Sequence, residues 1–434
     1  MARVVAFRAL ATAVNIATSL LAAAVLGPSG RGEQTALAIA PGFLGGIASL
    51  GLHGALIYNL KADPAREREL LGSGILLTLC AGGLAVVAGW LLEPHWLRQY
   101  SAHTILVGRL LMLVTPMIVI GWTLSGAAEA RGWFGLVNRM FYVQSLATLA
   151  LLGALTLLHR LTPATAACAY LLPQVPTFLV VFARIASRMR PVFRPRRDLL
   201  ARLLRYGVRL AGVDLLGTLA AFIDQLMIVA FLPPGMVGTY AVALSSARLL
   251  NVVQGGVSSV LFPSIAAREL GTVARTVATA FRVATLLIAA LAGVLAVIGP
   301  PLLVLAYGAA FAPAVLPFRL LLLAMVLENG ARILHQIYAG SGRPELVTLL
   351  ECAAVAVLVL AMLALLPAFG TTGAAAAVLC GAAFRLAAAI GGLPLLLRIR
   401  LPRLLFGRAD LRLIQAALSR PALAASPAGL EPVP

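Results

Sequence analysis

Lysine is nearly missing from this sequence: Lys61 is the single one among 34 basic residues. Acids are scarce as well, with 15 aspartates and glutamates in 434 residues, and only 11% of the chain is charged. Soluble domains carry roughly a quarter charged residues. A water-soluble fold therefore has no means of covering a chain that is 61% hydrophobic. Aromatics are few, 6%, and no basic stripe runs beside them, so the net charge of +19 does not point to nucleic acid. The four cysteines, Cys80, Cys168, Cys352 and Cys380, all fall inside apolar runs. That placement excludes a disulfide framework or a cysteine metal site and leaves them as small packing residues. No glycine-rich phosphate loop with a lysine occurs, nor any Ser/His/Asp or Cys/His arrangement. No catalytic residue, metal or cofactor is expected.

What the sequence has instead is long apolar runs. A bilayer core of roughly 30 Å needs about 20 apolar residues in a helix. Unpaired backbone groups are too costly in lipid for any other local structure. The spans expected in the first half are Val4–Leu26, Leu37–Leu60, Leu70–Leu92, Thr104–Leu124, Gly135–Leu158 and Ala164–Ile185. In the second half they are Tyr206–Phe231, Gly238–Ala266, Val277–Ile298, Ala314–Tyr338, Leu346–Leu366 and Gly373–Leu397. The first run has features of a signal peptide, but it is long enough to span and is followed by many like it, so it is read as the first helix.

The arginines choose an orientation. Alternate loops hold only Arg31, Arg98 and Arg160, while the others hold Lys61, Arg66, Arg68, Arg131, Arg268, Arg275 and Arg343. The densest groups are a central linker from Arg188 to Arg205 and a tail from Arg398 to Arg420. By the positive-inside rule both termini are cytoplasmic. The expected organisation is an amino-terminal six-helix bundle over 1–185, a basic cytoplasmic linker over 186–205, a second six-helix bundle over 206–397 and a cytoplasmic tail over 398–434.

A repeat crosses the linker. LGPSGRG at 26–32 follows the first span and LPPGMVG at 232–238 follows the seventh, and their Leu, Pro and Gly positions coincide at an offset of 206. Both halves start on the same side, so the repeat is parallel, about an axis along the membrane normal. Two bundles facing each other across a central cavity are the consequence.

The stretches LGPSGRGEQTAL at 26–37, IDQLMIVAFLPPGMVGTYAVAL at 223–244, LFPSIA at 261–266, LAYGAAFAPAV at 305–315 and AGSGRPE at 339–345 carry a family likeness. In their order and spacing the chain resembles the polysaccharide exporters, or lipid-linked oligosaccharide flippases. Their superfamily also contains the multidrug and toxic compound extrusion transporters. The resemblance implies an all-α, V-shaped transporter working by alternating access. It does not fix the cargo, because drug, lipid and glycan exporters share the architecture.

A charge at mid-bilayer costs about 2.5–3.5 kcal/mol on insertion scales, so such residues face a cavity or a partner. Arg248 and Arg385 lie near mid-span with no acid at helical spacing and are the foremost cavity candidates. Arg332 and Arg8 join them as a cationic, substrate-binding set. Glu328, Arg332 and His335 share one helical stripe, which also fits a neutralised structural pair. Arg248, Asn251 and Gln254 form another stripe. Arg109 reads as snorkelling to the outer surface and His53 as a packing residue. Asp224, Asp214 and Glu328 are the candidate carriers of a coupled ion. The two aspartates are ten residues apart and need not share a face.

Fixed arginines at the midplane suit a diphosphate. The leading reading is thus a transporter of a polyprenyl-diphosphate-linked oligosaccharide in a bacterial cytoplasmic membrane, serving cell-surface polysaccharide assembly. Its expected partners are the lipid-linked glycan, membrane lipids and other polysaccharide-assembly proteins. The alternative is a cation-coupled multidrug exporter of the same fold, in which acids line the cavity. A membrane enzyme of glycan assembly is disfavoured by the short loops.

Overall fold

A computed structural model describes residues 2–251, 270–341, 343–399, 401–404 and 407. Every regular element among them is helical. The first half comprises α1 (Ala2–Ala48), α2 (Leu52–Ala62), α3 (Glu67–Trp96), α4 (Ala102–Met112), α5 (Thr115–Ala130), α6 (Phe134–Leu157), α7 (Pro163–Leu171) and α8 (Gln174–Met189). The second comprises α9 (Arg197–Phe231), α10 (Pro234–Ala247), α11 (Leu270–Tyr307), α12 (Val315–Gly340) and α13 (Pro344–Leu396).

The expected twelve spans map onto these helices, with breaks where the chain has a reason to break. Helix α1 kinks at Gly27 (φ 65°) and α13 at Gly370 (φ 56°), so each holds two spans. The fourth span is interrupted before Thr115-Pro116 and the sixth before Pro173, where proline lacks the amide that would continue the ladder. The eighth span starts as α10, and residues 252–269, which include Gln254 and Arg268, lie outside the described residues. The linker is less open than the sequence suggests. Helix α8 runs to Met189 and α9 begins at Arg197, leaving a short non-helical stretch between them. There Arg196 hydrogen-bonds Asp198 and holds its carboxyl below the usual range.

Lipid offers no hydrophobic drive for one helix to pack on another, so close approach through small residues supplies the cohesion. Ala22, Ala23, Ala36 and Ala40 of α1 and Ala243 and Ala247 of α10 are buried accordingly. One apolar cluster crosses between the halves, joining Ala40 and Phe43 to Val229, Tyr240, Leu321 and Ala375. Large apolar residues on the far faces, such as Leu84, Leu157, Val297, Leu305 and Leu395, are exposed as lipid-facing residues must be.

The repeat becomes a contact. A Cβ on Gly32 would overlap the carbonyl oxygen of Pro234, and one on Gly238 would overlap that of Pro28. The offset of 206 carries Gly32 onto Gly238 and Pro28 onto Pro234, so the kinked segment of α1 and the start of α10 touch reciprocally about the pseudo-twofold axis.

Candidate functional site

Three chambers lie in series along α9 and α10. The central chamber, about 300 Å³, is lined by Asp224 of α9, Arg248 and Asn251 just past α10, Glu328 and Arg332 of α12, and Arg385 of α13. Leu244 and Arg248 also line a second chamber of about 350 Å³ between the halves, which contains Arg31. Ala221 and Phe222 are shared with a third, about 490 Å³, bounded by Ser49, His53, Glu129 and Asp214.

In the central chamber most charges are already matched. Arg332 Nη2 lies 2.6 Å from Glu328 Oε1, and Arg385 Nη1 lies 3.5 Å from the same oxygen. Arg385 Nε is 3.0 Å from Glu351 Oε2, and His335 Nδ1 is 3.4 Å from Glu351 Oε1. Two arginines and two glutamates thus form a ladder across α12 and α13. Arg385, expected as a free cavity cation, is 6% exposed and held by two carboxylates, although its edge reaches the chamber. The acids come from other spans, where helical spacing does not reveal them.

Arg248 is different. It makes no ion pair among the described residues, and its one hydrogen bond is a long one, 3.5 Å, to the Ala221 carbonyl. It is exposed at the junction of two chambers. Opposite it, Asp224 is 6% exposed; Tyr240 donates to its Oδ2 at 2.8 Å, while Oδ1 has no partner.

The two aspartates of α9 face separate chambers. Asp214 accepts from Ser49 at 3.4 Å in the third one. There His53 is more than a packing residue. Its Nδ1 is 2.8 Å from the Trp122 carbonyl and its Nε2 is 3.5 Å from Glu129 Oε2. Arg109 donates to the Trp90 carbonyl at the arginine-poor end of α3, as a snorkelling side chain would. The side chain of Arg8 lies outside the described residues.

Arg31 is the residue that the sequence concealed. Loop charge counting treats it as an orientation charge, yet α1 resumes after the Gly27 kink and turns it inward, where it is 7% exposed. Its spacing to Gln34, three residues on, was the available signal, since Nη1 donates to Gln34 Oε1.

Residues 140–316 match the family model described as polysaccharide biosynthesis protein. No curated protein matches the sequence. Among solved structures, the lipid II flippase MurJ in an inward closed conformation is similar at TM-score 0.73 and 11% identity, covering 90% of this chain and 87% of that one. An inward-facing multidrug resistance MATE family transporter of the MOP superfamily gives 0.72 and 16%, covering 88% and 92%. An outward-facing MATE transporter gives 0.62 and 16%, covering 96% of each chain. The chain has the MOP-superfamily fold. It is a multi-pass membrane protein of about twelve helices, and its residues 140–316 match the polysaccharide biosynthesis model.

Proposed function

We propose that this chain carries a polyprenyl-diphosphate-linked oligosaccharide across a bacterial cytoplasmic membrane by alternating access, for cell-surface polysaccharide assembly. The observation that carries the reading is Arg248, a guanidinium in no ion pair among the described residues and open to two chambers. A guanidinium stays charged there and offers a diphosphate two parallel hydrogen bonds. The reciprocal contact of Gly32 with Pro234 and Gly238 with Pro28 supports a state closed on the arginine-poor side. The greater likeness to the inward-facing MATE transporter than to the outward-facing one agrees with it. On this reading both termini are cytoplasmic, and the protein works beside other polysaccharide-assembly proteins. Asp224, whose Oδ1 is unpartnered, and Glu328 and Asp214 are the carriers of any coupled ion.

One observation favours a second reading, a cation-coupled multidrug exporter: the third chamber is lined by Glu129 and Asp214 and contains no arginine. Deleting the gene separates the two. The glycan reading expects loss of surface polysaccharide with lipid-linked glycan accumulating in the cytoplasmic leaflet. Normal surface polysaccharide together with sensitivity to cationic drugs would overturn it in favour of the exporter.

A further inference from the structure

The chamber around Arg31 has a different electrostatic character from its neighbours. Two of its lining residues, Arg31 and Arg248, carry guanidiniums, and none carries a carboxylate. Arg31 is 7% exposed and makes no ion pair among the described residues. It is held instead by neutral groups: Nη1 donates to Gln34 and, at 3.3 Å, to the Tyr170 hydroxyl, and Nη2 donates to Ser19 Oγ at 3.3 Å. Its Nε is buried and bonded to nothing in the protein. The guanidinium carbon sits 5.5 Å from the centre of the Tyr170 ring.

Buried charges in proteins are normally paired, because desolvating a lone ion is costly. The four-member ladder of the C-terminal half obeys that rule. Arg31 is built differently, with a neutral polar cradle that fixes its orientation and leaves its charge uncompensated. The cradle also crosses the pseudo-twofold axis. Ser19 Oγ is 3.2 Å from Ser245 Oγ and 3.5 Å from the Tyr307 hydroxyl, both contributed by the second half. The site is therefore complete only while the arginine-poor ends of the halves are together.

We infer that this chamber is an anion site for a phosphate group, with Arg31 as its principal ligand and Arg248 as the residue shared with the central chamber. It is a second station, reached from the central chamber past Arg248, and it comes apart when the halves separate, because its groups belong to both. The inference deepens the proposed function and rests on its reading of an anionic cargo. The phosphate can arrive on a lipid or as a soluble compound, and the chamber recognises the same chemistry in either.

The test is direct binding to the intact protein in lipid nanodiscs, titrated calorimetrically with inorganic pyrophosphate and separately with farnesyl diphosphate. The parent binds both, and Arg31→Gln binds both about tenfold more weakly or worse, through loss of charge-assisted hydrogen bonds. Arg31→Lys falls between them because it keeps the charge without the fork. Arg319→Gln, on the exposed start of α12, binds like the parent. Tighter binding of farnesyl diphosphate marks a lipid-borne phosphate, and equal binding marks the head group alone; in both cases the loss in Arg31→Gln is required. Absence of pyrophosphate binding by the parent, or unchanged binding by Arg31→Gln, overturns the site. Pyrophosphate binding that depends on Arg31, found beside normal glycan display in Arg248→Ala, overturns the proposed cargo and leaves the site standing.

Discussion

The two most deeply buried arginines of the described residues, one in each half, are held in opposite ways. In the second half, Arg332 and Arg385 neutralise Glu328 and Glu351 at 2.6–3.5 Å across two helices. In the first half, Arg31 is as deeply buried as Arg385 and makes no ion pair among the described residues. The ladder's charges are thus matched within the C-terminal bundle, whereas Arg31 of the first half and Arg248 of the second, in no ion pair among the described residues, share a chamber. The difference teaches that burial of an arginine does not by itself mark a binding residue. The ladder ties two helices together, whereas Arg31 and Arg248 face the chamber through which the proposed cargo would pass.

Stability should show the contrast most strongly. Arg385→Ala leaves Glu328 and Glu351 under-compensated, and breaking a buried pair costs about 3–5 kcal/mol. Thermal unfolding in detergent should show a large drop in midpoint and poor membrane yield. Arg31→Met removes an unpaired buried charge and should leave the midpoint unchanged or raised. Equal losses in the two variants would erase the distinction between the halves.

The next largest effect concerns the contact that brings the halves together. Gly32→Val and Gly238→Val each force a side chain into a backbone carbonyl of the other half. Overpacking costs about 1–3 kcal/mol, enough to move the closed state roughly 5- to 150-fold. Both variants should lose transport, and a cysteine placed at Ser19 should label faster from the arginine-poor side. Unchanged labelling would mean that the contact does not govern opening. A smaller effect is expected from the acids. Asp224→Asn and Glu328→Gln, in the central chamber, should reduce ion-driven transport more than Asp214→Asn in the third. Undiminished transport in all three would remove ion coupling from the account.

Much of this architecture was legible because lipid imposes simple rules. Run length gave the spans, and arginine bias separated the two faces. The LGPSGRG and LPPGMVG segments, matched at an offset of 206, already held the reciprocal contact of Gly32 with Pro234 and Gly238 with Pro28. The site was harder to read. Helical spacing relates residues within one span, so it paired Glu328 with Arg332 and was blind to Glu351 and Arg385, which meet through packing. It likewise could not join His53 to Glu129. Arg31 was hidden for another reason: a glycine–proline segment reads as a loop, yet only Gly27 departs from helical geometry, and the helix continues inward. Arg248 was visible in both views: no acid stands at helical spacing from it, and it makes no ion pair among the described residues, although Asp224 and Glu328 share its chamber.

Arg248 therefore gives the most direct test of the central claim that an interfacial guanidinium carries an anionic, lipid-linked glycan. Surface polysaccharide should be measured in cells expressing Arg248→Lys or Arg248→Ala at matched protein level. Lysine keeps the charge and loses the fork, so Arg248→Lys should display a reduced but clear amount. Arg248→Ala should display none while inserting normally, because it removes a charge from the membrane. Parent-level polysaccharide in Arg248→Ala would contradict the account.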